Sequence, residues 1–67
     1  MITIVVNGEN KEVQKNTTLL EVITNLKIED KVMASAVNMN IVKKDNWASH
    51  NLKDNDKLEL LQFVGGG

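Results

Sequence analysis

The sequence contains no cysteine and no arginine, a single histidine, and only two aromatic residues, Trp47 and Phe63. Without cysteine there is no disulfide staple, no thiolate metal site and no thiol nucleophile. One histidine, His50, leaves no zinc cluster of ordinary composition. All eight basic residues are lysine, set against nine acidic ones for a net charge of −1. The bidentate guanidinium fork that reads phosphate or guanine is therefore missing, and two aromatics give little to stack on bases. A nucleic-acid role is excluded on these grounds. No apolar run approaches the roughly 20 residues that a membrane span requires, and no basic region precedes the hydrophobic start. The expectation is a cytoplasmic protein without a membrane partner.

What remains is an ordinary globular composition in 67 residues, 42% hydrophobic and 25% charged, enough for one small domain. A chain of this length buries only about 60% of the surface that its unfolded form exposes, so its core must be well patterned. Ile2-Thr3-Ile4-Val5-Val6 is β-branched and alternating, hence a strand, and Asn7-Gly8 is the strongest short-range signal for a hairpin. The return strand, around residues 11–14, is polar, as suits a sheet edge. Thr18-Leu19-Leu20-Glu21 is a capping-box pattern, followed by the stripe Leu19, Val22, Ile23, Leu26 of an amphipathic helix. The helix is predicted over 19–27, with Glu21 in its first turn and Lys27 near its end, both suited to the helix dipole.

Residues 33–37 read as a strand, 38–40 as a turn and 41–42 as a short strand. Residues 43–53 read as loop with one helical turn. Asp54-Asn55-Asp56 is turn chemistry, and a last strand is expected from Lys57 to about Val64. That strand is apolar on both faces, which places it centrally in the sheet. Hairpin, helix, two short strands, loop and central last strand make an α+β roll: a mixed sheet of four to five strands, covered on one face by one main helix, with the first and last strands parallel neighbours. The domain is expected over 1–64, followed by a flexible glycine tail, 65–67.

Several residues have a plain structural reading. Asp54 and Asp56 resemble a carboxylate pair, but Asp-Asn-Asp between strands is turn chemistry, and calcium would need more oxygen ligands than this turn offers. His50 is read as a solvated loop residue. Trp47 could be an exposed anchor for a partner or a staple laying its ring over the sheet edge, and the staple is preferred. Met33 and Met39 are core or turn filler. On the last strand, if Leu58 and Leu60 face the helix, alternation turns Glu59, Leu61 and Phe63 outward, and Val5 joins them from the first strand. Val5, Leu61 and Phe63, with Val64 beside them, form a candidate partner-binding patch unless the long loop and Trp47 fold across it.

This order of elements, together with Asn38-Met39-Asn40-Ile41-Val42 before Trp47, Asp54-Asn55-Asp56-Lys57 before the last strand, and Phe63-Val64-Gly65-Gly66-Gly67 at the end, resembles the ubiquitin-like β-grasp proteins. Among these the chain is most similar to the ThiS family of bacterial thiamine biosynthesis, and the resemblance runs its whole length. The family ends in Gly-Gly with another residue before it, so Gly65 is a departure. Three glycines alone would read as a frayed end. After a central strand in a matching chain they read as a tail whose bare backbone can enter a narrow channel, with Gly65 and Gly66 threading and Gly67 bearing the reacting carboxylate.

The resemblance implies adenylation of Gly67 by a ubiquitin-activating-like adenylyltransferase that uses ATP, then replacement of AMP by sulfur from a donor system. The resulting thiocarboxylate would serve a thiazole synthase. The carrier would be a substrate and handle, with no bound cofactor, no metal and no catalytic residue of its own. Two other readings stay open: a carrier of the type of the small subunit of molybdopterin synthase, and a ubiquitin-like interaction module that carries nothing.

Overall fold

The computed structural model describes residues 1–62. Its elements are β1 (Ile2–Val6), β2 (Glu9–Val13), α1 (Leu19–Asn25), β3 (Val32–Val37), β4 (Asn40–Val42), a 3-10 helix (Lys44–Ser49) and β5 (Lys57–Gln62). The five strands form one sheet in the order β2-β1-β5-β3-β4. Neighbours run antiparallel except β1 and β5, which pair in parallel through Val5↔Lys57 and Val6↔Leu58. The α+β roll expected from the sequence is the one observed, with the last strand central.

Both tight hairpins turn on consecutive residues at positive φ. Asn7 and Gly8 stand at 48° and 88°, Asn38 and Met39 at 51° and 71°. Asparagine tolerates that region because its short polar side chain bonds locally. The capping box closes as expected: Glu21 N–H donates to Thr18 Oγ1 at 3.2 Å, and Thr18 N–H donates to Glu21 Oε1 at 3.1 Å.

The other end of α1 departs from expectation. The helix stops at Asn25, and Lys27 stands beyond it at φ 60°, with its N–H donating to Thr24 O while Ile28 N–H donates to Ile23 O. This pair of bonds is a Schellman closure, normally completed by glycine. Lys27 thus ends the helix as a left-handed residue and does not complement the dipole from the last turn.

The core gathers Ile4 and Val6 of β1, Leu19, Val22 and Ile23 of α1, Val32, Val37 and Val42 of β3 and β4, Trp47, Leu52, and Leu58 and Leu60 of β5. Trp47 goes further than a staple over the edge. Its ring is 1% exposed within this core, and its Nε1–H donates to Val42 O at 2.9 Å. Met39 lies on the β3–β4 turn, one of the two places expected for it, whereas Met33 fills neither core nor turn and is exposed where the β3–β5 register shifts. Among the described residues no helix is long and apolar enough to cross a membrane.

Candidate functional site

Leu58 and Leu60 are buried on the helix side of β5, and the alternate positions Lys57, Glu59 and Leu61 are exposed on the other. The faces are therefore assigned as the alternation required. Leu61 is 61% exposed, and Val5, half-buried, lies on the same face of the neighbouring strand. Of the expected patch, the structure brings these two residues to one face. Phe63, Val64, Gly65, Gly66 and Gly67 lie outside the described residues.

The face is broader than the patch read from sequence. Ala34 pairs with Leu61, and Ala36 sits between Glu59 on β5 and Ile41 on β4. Ile41 is 71% exposed. A shallow depression of about 280 Å³ is lined by these residues. The two alanines matter because a small side chain between Leu61 and Ile41 leaves a hollow that a partner's side chain can enter. Lys57 and Glu59 put one charge of each sign on the same face. Ile41 went unassigned in the sequence because a three-residue strand has no readable alternation; only its pairing with Ala36 gives its side.

The long loop does not cover this surface. Trp47 anchors the 3-10 helix in the core that α1 shares, and those two helices pack against each other. Among the described residues none covers the open face, where Leu61 and Ile41 stay exposed.

The acidic turn is structural, as its sequence suggested. Asp54 Oδ1 accepts from Thr3 N–H at 2.8 Å. Asp56 is buried, accepting from Lys53 N–H at 2.8 Å through one oxygen and from Asn38 Nδ2 at 2.9 Å through the other. Carboxylates engaged in this way tie loops together. His50 is half-buried, and its carbonyl accepts from Leu19 N–H at 2.9 Å at the start of α1. Among the described residues no three His, Asp or Glu side chains group as metal ligands.

The model of the ThiS family matches residues 4–67. The chain is 31% identical over 62 residues to the sulfur carrier protein ThiS of Bacillus subtilis, taking in 91% of this chain and 94% of that protein. It is 33% identical over 64 residues to a thiazole synthase of Paramagnetospirillum magneticum, where 96% of this chain matches 20% of the other, so the chain spans a fifth of that protein's length. The crystal structure of the thiamine biosynthesis protein ThiS from Geobacter metallireducens superposes with a TM-score of 0.80 at 26% identity, over 98% of this chain and 100% of that one. The β-grasp sheet, its single main helix and the near end-to-end match to a small curated carrier agree, and the chain belongs to the ThiS family of sulfur carrier proteins.

Proposed function

We propose that this protein takes up sulfur on the carboxyl group of Gly67 and donates it to formation of the thiazole ring of thiamine. A carboxylate is a poor acyl donor until its oxygen becomes a leaving group. In the active site of a ubiquitin-activating-like adenylyltransferase, the Gly67 carboxylate oxygen attacks the α-phosphorus of ATP. Pyrophosphate leaves, and an acyl adenylate forms. Sulfide delivered by a donor system adds to the acyl carbon, AMP departs with the bonding pair, and a thiocarboxylate remains.

Gly65 and Gly66 add no Cβ to the approach, so the tail can pass where any side chain would jam. The nucleotide belongs to the partner. The carrier itself is a substrate that is handed on, acting in the cytoplasm, and not a catalyst. Its body docks through the open sheet face, with Val5, Leu61, Ala34, Ala36 and Ile41 as the apolar contact; Phe63 and Val64, the other members of the patch read from sequence, lie outside the described residues.

The observation that carries this reading is the family match, which runs through Gly67. A thiazole synthase as the acceptor is supported by the Paramagnetospirillum protein of that name, which includes a counterpart of this chain within its own length. Joining carrier and synthase in one polypeptide raises their effective concentration for each other. The test is to incubate the protein with adenylyltransferase, ATP and a sulfide donor, then record intact mass and localise the change. One oxygen-to-sulfur exchange at Gly67 is expected. No exchange with a partner set proven active on another carrier would refute the reading.

A further inference from the structure

Strand β5 leads in sequence to the glycines, and it is held differently on its two sides. On one side β3 pairs with it from Leu58 to Gln62. On the other, the β1 ladder has only the pairs Val5↔Lys57 and Val6↔Leu58 before the chain turns away at Asn7-Gly8. The last backbone bond on that side runs from Asn7 N–H to Leu58 O at 2.9 Å. The N–H and C=O of Leu60 would next face an absent strand.

The Asn7 side chain supplies what the backbone no longer can. Its Oδ1 accepts from Leu60 N–H at 2.8 Å, and its Nδ2 donates to Leu60 O at 3.4 Å. A carboxamide offers a donor and an acceptor in one plane, as a peptide group does, so it makes one further rung of the ladder. The hairpin alone does not require this. Glycine or aspartate would serve the turn at φ 48°, whereas the paired bonds to Leu60 require an amide.

We infer that Asn7 is a positioning residue for the transfer of sulfur: its carboxamide pins Leu60 and so fixes the line along which β5 delivers the chain toward Gly67. The inference rests on the carrier reading, in which one partner must hold the open face and the C-terminal carboxyl together. Leu60 is the neighbour of Leu61 in the docked face, on the strand that leads in sequence to the reacting group. Freed on one side, its backbone can exchange Asn7 for water, and the root of the tail loses its register with the face. A displacement of about 1 Å at a reacting centre can cost roughly a hundredfold in rate.

The test compares wild type with Asn7→Gly, which keeps the turn and removes the carboxamide. Amide hydrogen exchange at Leu60 is measured together with steady-state kcat and KM for activation by the adenylyltransferase, well below the melting temperature. The expected result is faster exchange at Leu60, kcat lower by roughly ten- to a hundredfold, and KM within about twofold of wild type. An unchanged kcat overturns the inference. So does a rise in KM alone, which would make Asn7 a docking contact. Should Asn7→Gly fail to fold, Asn7→Asp gives the same readings: it keeps the size and the tolerance of positive φ but sets a carboxylate oxygen against Leu60 O. Failure of wild type itself to be activated would overturn the carrier reading and this inference with it, whereas an active wild type matched by an equally active Asn7→Gly overturns the inference alone.

Discussion

Leu61 carries the sharpest test of the open face. Full burial of a leucine side chain is worth about 1.5–3 kcal/mol, and Leu61 is 61% exposed in the free protein. The share left for docking is therefore roughly 1–2 kcal/mol, and Leu61→Ala should weaken the complex with the adenylyltransferase about 5- to 30-fold. Leu61→Asp adds the cost of enclosing a carboxylate without a partner, at least a further ~1–3 kcal/mol, and should weaken binding by about a hundredfold or more. The alanine change should leave the fold nearly as stable as before, within about 0.5 kcal/mol, because so much of this side chain already meets water. Titration calorimetry reports the binding constants, and thermal melts followed by circular dichroism report the fold. Binding constants within twofold of wild type for both variants, with melts unchanged, would show that the partner docks elsewhere.

Three further outcomes are expected. Thr18→Ala removes the hydroxyl of the capping box and should lower stability by about 1 kcal/mol. For a domain of this size that is a drop of about 4–8 °C in melting temperature, measured by circular dichroism. Ser35 is fully buried on β3 and its Oγ has no hydrogen-bond partner among the described residues, so Ser35→Ala should raise stability by about 1–2 kcal/mol in urea, followed by the fluorescence of buried Trp47. A loss of stability there would mean that the hydroxyl is satisfied. Gly66→Val should leave the melting temperature unchanged yet block the oxygen-to-sulfur exchange read by intact mass, because a branched Cβ must enter a passage shaped for bare backbone.

The residues that were legible are those whose behaviour is set by near neighbours. Thr18 and Glu21 stand three apart and close on each other within one turn, so the start of α1 followed from spacing alone. Asn7-Gly8 had to turn, and the alternation of β5 had to bury Leu58 and Leu60 once a helix lay on one side. The end of α1 was harder to read: Lys27 occupies a position that ordinarily calls for glycine, and its side chain gives no sign of it. Met33 looks like a core residue by hydrophobicity, yet it lies at a register shift and is exposed.

Sequence by itself determined the class of fold, the order of its elements, the polar edge at β2 and the family likeness carried to Gly67. All of these depend on residue type at short spacing, and short-range sterics and amphipathic periods are written locally. Only the tertiary structure decided which side Ile41 takes, that Ala34 and Ala36 hollow the open face, that Trp47 sits in the core, and that Asn7 reaches Leu60. Each depends on a contact made only in the folded chain, from Ile41 beside Ala36 to Asn7 and Leu60, 53 positions apart. Such a contact is selected by the packing free energy of the whole sheet, to which no single stretch of residues contributes enough to announce it.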